Sequence, residues 1–415
     1  MKFTSRGFKA AAAVIATASL LGAGLLPAQA APKTITVWAD EQRGPQLKSL
    51  IDGNTTIAPG YVIKVKFFAS LTALQSAWDK ATAAGGPDVL TGPASFNAAA
   101  KSGKVLPLLY SKVAQSEIPA AAKQALSYKG RTYGVPLDVD TTAMYWNTAF
   151  GATAPATIDA MYEIYKTQKA AGKVTGGICA FDGTWGAHPV LTALGGGAYG
   201  FTNNNADKNK VLINSAAFKA NVKKYLVGSD GKSTGFLKWD GCADEFKAGK
   251  MLAANTGAWN LDGVNAAGIK FTLGPVPGLT AKSKGAQWVN YSGAWVTSYA
   301  RTHGVELGAK KLVIDWMASS AGQLQMYAAG DRPPANTKAA AAVKNANTKA
   351  FATAAATGVP QFSAWLDDKT GGSNWYDTLG SALTNMLVKG DNVDTTLDAA
   401  AAILKKNFAN AALSK

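Results

Sequence analysis

The 415-residue chain is 47% hydrophobic, and its 42 Lys and Arg outweigh 26 Asp and Glu to leave a net charge of +16. That length suits two or three domains with a sizeable core. The cations stand singly or in pairs such as Lys223-Lys224, with no basic block interleaved with aromatics, which argues against a nucleic-acid partner and for contact with an anionic wall or membrane surface.

Residues 1–30 carry Lys2, Arg6 and Lys9, then an uncharged apolar run from Ala10 to Leu26, then Leu26-Pro27-Ala28-Gln29-Ala30. This is the layout of a secretory signal peptide, with cleavage expected after Ala30 and a mature charge of +13. Ala31 stands where a lipid-bearing cysteine would follow the cleavage site, so a non-lipidated secreted product is expected. From Lys33 a strand (Thr34 to Trp38), a helix with Leu47, Leu50 and Ile51 on one face, and a strand (Tyr61 to Phe67) follow in turn. Leu74, Ala77, Trp78 and Ala81 then mark one helical face, stopped by Gly85-Gly86-Pro87. Asp88-Val89-Leu90-Thr91 is short enough only for a buried strand, and Gly92-Pro93-Ala94-Ser95 reads as a tight loop at its tip. Such β-α-β-α-β alternation predicts a parallel sheet with helices on both faces, and ligands bind at the C-terminal strand ends of such sheets. Gly134 to Trp146 is a long extended stretch suited to crossing between domains.

The second half repeats the pattern. Asp244 to Ala248 predicts a short helix ended by Gly249, and the strand Met251 to Thr256 stops at Gly257-Ala258-Trp259. Gly195-Gly196-Gly197 reads as a helix C-terminal turn, and no P-loop or Gly-x-Gly-x-x-Gly joins a strand to a helix. Lys311 to Ala329 is helical with a break at Ser319-Ser320, and alanine density allows helix between Ala335 and Thr357. Leu379, Leu383 and Met386 form a stripe closed by Gly390, and Leu397, Ala401, Leu404 and Phe408 form another.

The chemistry on offer is narrow. His188 and His303 are the only histidines and stand apart, so histidine zinc sites and Ser-His-Asp triads lack raw material, and neither cofactor nor metal is expected. Cys179 and Cys242, the only cysteines, predict one disulfide in an exported chain. What recurs is loop aromatics beside carboxylates and amides: Asp40-Glu41-Gln42-Arg43 after Trp38, Asp138 and Asp140, Asp182 before Trp185, Trp259-Asn260, and Trp375-Tyr376. A sugar ring needs this mixture, an aromatic plane for its C–H face and fixed polar groups for its hydroxyls.

The stretches Ile35-Thr36-Val37-Trp38, Gly86-Pro87-Asp88-Val89, Tyr133-Gly134-Val135-Pro136, Phe246-Lys247-Ala248-Gly249, Gly257-Ala258-Trp259 and Asp315-Trp316-Met317-Ala318 resemble the extracellular solute-binding proteins of ABC sugar importers, specifically the maltose/maltodextrin-binding group. The resemblance covers nearly all of residues 33–415 and implies a two-lobed α/β fold, each lobe a mostly parallel sheet flanked by helices, joined by hinge segments. It implies a first lobe of residues 31–139 plus about 291–331 and a second of residues 140–290 plus about 332–415. In the family the ligand lies between the lobes. Asp40, Glu41 and Arg43 would bind hydroxyls from the first lobe, with Ser95 on a cleft-edge loop, and Asp140 stands where the family has a sugar-binding glutamate. Asp182, Trp185, Trp259, Trp375 and Tyr376 would form the second wall, with Trp365 competing with Trp375 for the stacking position. The implied function is delivery of a maltose- or maltodextrin-like oligosaccharide to an ABC transporter permease by a monomeric, non-enzymatic protein. The alternatives are another oligosaccharide, a galactoside or xylooligosaccharide, or a secreted glycoside hydrolase using Asp138 or Asp140 with Asp182.

Overall fold

Apolar side chains alternate or run together along the strands according to whether one face or both are covered. In the computed structural model, which describes residues 31–202, 205–207, 210–239, 241–356, 358–360 and 372–407, β1 (Lys33–Ala39), β2 (Tyr61–Phe67) and β3 (Val89–Pro93) pair in parallel in the order β2-β1-β3. The expected signal segment, Trp365 and Phe408 lie outside the described residues. Helices Gly44–Ile51 and Leu71–Asp79 connect these strands and turn Leu47 and Ile51, and Leu74 and Trp78, inward. The second helix ends at Asp79, short of the expected glycine stop, so Ala81 lies beyond it. Gly86 answers a different need: a Cβ there would lie 2.3 Å from the ring of Tyr299, whose hydroxyl donates to the Ala81 carbonyl at 2.7 Å.

Two-residue strands β4 (Ser127–Tyr128) and β5 (Arg131–Thr132) form a small hairpin before β6 (Gly134–Asn147), a 14-residue strand buried along nearly all its length. Beyond it, β7 (Gly176–Ala180) precedes a second small antiparallel pair, β8 (Gly200–Thr202) and β9 (Asn205–Asp207). Then come β10 (Leu237–Lys238), β11 (Met251–Gly257), β12 (Phe271–Gly274), β13 (Trp288–Val296) and β14 (Val359–Pro360). The main sheet runs β10-β7-β11-β6-β13-β3-β1-β2, with β12 on β6 and β14 on β13. β7, β10 and β11 are parallel, repeating the β2-β1-β3 arrangement at the far end of the sheet. The long strand β6 joins the two sets. Its first part pairs with β13 and its last part with β11 and β12. This is the expected mixed α/β architecture, two parallel sets flanked by helices and joined by crossing strands.

The cores divide likewise. Ile35, Val37, Leu47, Val89, Leu312 and Val313 pack in one cluster, and Ile178, Leu191, Phe218, Phe236, Leu252 and Leu397 in another. The helical region from Lys311 breaks where expected: a π-helical stretch Lys311–Met317 gives way to helix Ser320–Gly330, with Ser319 capping the Gly322 N–H. Cys179 and Cys242 form a disulfide with a Cα–Cα distance of 5.5 Å. Among the described residues no helix is long and apolar enough to cross a membrane.

Candidate functional site

The pairing register locates the site. β3 runs in the direction of β6 and ends at Pro93, opposite Ser292, which in turn pairs with Asp138. β11 runs against β6 and ends at Gly257, opposite Thr142. The two parallel sets therefore run head-on along one strand and stop four residues apart, a gap of about 13 Å at the usual rise per residue. All the C-terminal strand ends that carry the expected residues open onto this gap, the position at which open α/β sheets bind ligands.

Gly92-Pro93 was expected to be loop. The strand instead continues through both, and a 3-10 turn begins at Ala94. Pairing with β13 outweighs the turn propensity of the two residues, and a Cβ at Gly92 would lie 2.4 Å from the buried Phe96 ring. Ser95 is half-buried in that turn.

The floor is an ionic network on one face of the crossing strands. Asp138 and Asp140 alternate with Val139 and so share a face. Arg43 donates to Asp138 at 3.0 and 3.2 Å, to Asp140 at 3.2 Å, to Asp40 at 2.8 Å, and to Ser292 Oγ. Arg332 Nη1 donates to Asp140 at 2.9 Å and to Asp138 at 3.3 Å, while its Nη2 donates to Gln42. Ser292 donates to Asp140. Burial works against the Arg43 cation, but Asp138, Asp40 and Asp140 hold its pKa well above the ordinary value. Burial also raises both crossing carboxyls. For Asp138 the two guanidinium groups prevail and its pKa falls, whereas Asp140, next to the charge of Asp138, is left above the ordinary range.

Asp40 and Arg43 are thus consumed in building the floor. Asp40 is 2% exposed and its Oδ1 also accepts the N–H groups of Gln42 and Arg43. Glu41 differs: its buried Oε2 has no hydrogen-bond partner among the described residues. Arg332 escaped the sequence reading although a signal was present. Pro333-Pro334 holds the chain extended after helix Ser320–Gly330, and the segment pairs with β6 through Val139 N–H to Pro333 O (2.8 Å) and Ala335 N–H to Leu137 O (3.1 Å). The residue before that pair of prolines is thereby fixed beside Asp138 and Asp140.

Across the gap, Asp182 follows β7 and accepts from Thr256 Oγ1 (2.5 Å), Trp259 Nε1 (3.1 Å) and Asn260 Nδ2 (3.3 Å). All these donors are neutral, and burial raises the Asp182 carboxyl despite them. Trp185 meets Trp259 edge to face at 6.0 Å, both half-buried. Thr184 Oγ1 donates to the Tyr376 carbonyl at 3.2 Å, which brings that half-buried residue beside Asp182-Trp185. Asn260 was singled out from the sequence beside Trp259, whereas Thr256 was read only as a strand residue; both stand within three residues of Trp259.

Trp375 meets the Tyr376 ring edge to face at 5.6 Å but otherwise packs away from these side chains. It is 1% exposed and packs on Trp288 at 4.5 Å, and Trp288 stacks on the buried His188 at 4.0 Å. Its ring serves the core, not the gap, because it opens helix Trp375–Thr384 with Leu379 and Leu383 on the same inward face. On the opposite face of the crossing strands Val139, Thr141, Val289, Tyr291 and Phe351 line an apolar cavity of about 320 Å³, set apart from the ionic floor. Among the described residues no group of three or more His, Cys, Asp or Glu is arranged to hold a metal ion.

A family model for bacterial extracellular solute-binding proteins matches residues 58–357. A galactooligosaccharide-binding protein of Bacillus subtilis (strain 168) is 26% identical over 263 residues, 59% of this chain and 60% of that protein. The maltodextrin-binding protein MdxE of the same organism is 25% identical over 228 residues, 52% of this chain and 53% of that protein. A maltooligosaccharide ABC transporter solute-binding lipoprotein of Streptococcus pneumoniae serotype 4 is 24% identical over 229 residues, 51% of this chain and 50% of that protein. The chain spans between half and 60% of the length of these curated relatives.

Proposed function

Because the chain belongs to the bacterial extracellular solute-binding protein family, we propose that the gap between its two strand sets captures a maltose- or maltodextrin-like oligosaccharide for delivery to the membrane permease of an ABC importer. The observation that carries this reading is the head-on termination of β3 and β11 over β6, with a polar floor between the ends and paired indoles on one wall. Relatives named for maltodextrin and maltooligosaccharide binding support the choice of sugar. The galactooligosaccharide-binding relative supports a second reading in which the solute is a galactooligosaccharide.

In this reading the lobes are residues 31–139 with about 291–331 and residues 140–290 with about 332–415, and closure turns on the crossing strands. The protein is exported with its leader removed after Ala30, acts as a monomer, and stays near the permease through its positive charge. Glu41, Ser95, Asp140, Asp182, Trp185, Trp259 and Tyr376 contact the sugar, while Asp40 and Arg43 brace the floor. Binding without hydrolysis is favoured because the pair a hydrolase would use, Asp138 or Asp140 with Asp182, is engaged elsewhere: the crossing aspartates by two guanidinium groups and Asp182 by three side-chain donors.

Titration of the tryptophan fluorescence with malto- and galactooligosaccharides tests the reading. Saturable binding of one series, with the sugar recovered intact by chromatography, is the expected result. No response to either series overturns the oligosaccharide reading, and breakdown of the sugar overturns the non-enzymatic one.

A further inference from the structure

The segments that frame the gap are residues 40–43, 94–100, 138–142, 181–186, 256–262, 290–292, 331–334 and 375–377. They hold eight Asp and Glu against two Arg, in a chain where Lys and Arg outnumber Asp and Glu by 42 to 26. Asp262, Asp331 and Asp377 are exposed, but the buried or half-buried Asp40, Glu41, Asp138, Asp140 and Asp182 still outnumber the two Arg, so the charge of the gap is opposite in sign to that of the molecule. Its two guanidinium groups are spent on Asp40, Asp138 and Asp140. Glu41 Oε2 has no partner among the described residues, and Asp182 is met only by neutral donors. Lys66 and Lys247, beside these loops, lie over the rings of Trp38, Phe68 and Phe181. Burial chiefly, opposed by the hydrogen bond with Thr184 and joined by the charges of Asp182 and Asp377, raises the neighbouring Tyr376 phenol.

Resting on the oligosaccharide reading above, we propose that the gap selects its solute by charge, accepting neutral oligosaccharides, favouring ones that bear an amino group, and rejecting ones that bear a carboxylate or phosphate. A hydroxyl donates its proton to a carboxylate and brings no charge with it. An ammonium donates more strongly and compensates an unpaired anion. An acidic group has no proton to give at neutral pH and adds like charge to a site whose cations are already committed. The molecule's net positive charge draws acidic glycans to its surface, so a locally anionic gap keeps such material from occupying the transport site.

The test uses three sugars on one skeleton, for both maltotriose and a β-galactosyl trisaccharide: the parent, its derivative oxidised to a carboxylate at one C6, and its derivative aminated at that carbon. Calorimetric titration of the mature protein at low and high salt gives the affinity of each. For whichever parent binds, the carboxylate derivative is expected to bind about tenfold or more weakly and the amine at least as tightly, with the spread narrowing as salt screens the charges. Glu41→Gln should reduce the carboxylate penalty by about threefold or more, a change in selectivity that lost packing alone would not produce. A carboxylate derivative that binds as well as its parent overturns charge selection while leaving the oligosaccharide reading intact. If no member of either set binds, the oligosaccharide reading falls, and this inference with it.

Discussion

Arg332→Met tests whether the floor is one coupled network. The substitution preserves the length of the side chain and removes the donors to Asp140 (2.9 Å), Asp138 (3.3 Å) and Gln42. Three nearly buried carboxylates would then share Arg43 alone. Breaking a buried ion pair typically costs about 3–5 kcal/mol, and because Arg43 still reaches both crossing aspartates the lower end, about 3 kcal/mol, is expected here. At a urea slope of about 3 kcal/mol/M this lowers the unfolding midpoint by about 1 M at neutral pH. The pH dependence is more telling. Asp140 already has a raised native pKa, so its contribution is most favourable below the unfolded value and is lost as pH rises through the native one. Losing Arg332, which pulls that pKa down, moves the window upward, and the deficit of the variant should shrink between neutral and mildly acid pH as Asp140 takes up a proton. Adding Asp140→Asn should recover part of the loss at neutral pH, since the uncompensated charge is gone. A midpoint equal to that of the parent protein, or a deficit that is the same at both pH values and simply adds to that of Asp140→Asn, would refute the reasoning.

Three further outcomes are expected. The Cys179–Cys242 bridge spans 63 residues, which in the chain-entropy account stabilises by about 4 kcal/mol; denatured, unreduced protein should label with no thiol reagent, and reduction should lower the unfolding midpoint. Trp259→Ala should weaken sugar binding by about thirtyfold, about 2 kcal/mol, with little loss of stability, whereas Trp375→Ala should cost about 3–5 kcal/mol of stability, as the fluorescence titration and the urea midpoint of each variant will register. Burial pushes the His188 imidazole down to about 3, so its neutral form stabilises the fold above its ordinary value and that contribution is lost as pH falls from about 6.5 toward 3; a stability–pH profile of His188→Phe should be flatter over this range.

Much of this molecule is legible before its structure, and the limits are physical. The parallel sets follow from short apolar runs bounded by glycine and from helices with one inward face, such as Leu74 with Trp78 and Leu379 with Leu383. Trp259 was nameable because it follows a strand that stops at a glycine, a local feature, whereas Asp182 and Trp185 were named as a carboxylate beside an aromatic and through the family resemblance, with the strand Gly176–Ala180 before them unread. The partner of a charge is not local. Asp40-Glu41-Gln42-Arg43 looks like four polar groups offered to a ligand, yet Arg43 finds Asp138 across 95 residues of sequence and Gln42 finds Arg332 across 290. Trp375 misleads in the opposite way. Beside Tyr376 at a helix start it resembles a stacking platform, but its ring points inward to Trp288, a contact that only the packing of the helix against the sheet decides.

The two walls of the gap differ in how they are held. The floor network ties Asp40, Gln42 and Arg43 to Asp138, Asp140, Ser292 and Arg332, and so fastens the loop after β1 to three crossing segments. The far wall closes its hydrogen bonds on itself, with Asp182 joined to Thr256, Trp259 and Asn260. Between them β6 supplies a relay of another kind: Asn255 Nδ2 donates to Thr142 Oγ1 at 3.1 Å and to the Gly186 carbonyl at 3.0 Å, and Thr142 donates to Gln287. Among the described residues no side-chain hydrogen bond joins Asp182, Trp259 or Asn260 to Asp40, Gln42 or Arg43. Two walls that are each internally satisfied, and joined by strands more than by side chains, gain little from approaching one another alone. In the function proposed above, a solute that contacts both would supply the missing differential affinity, which is the only free energy by which a ligand can shift such a pair toward closure.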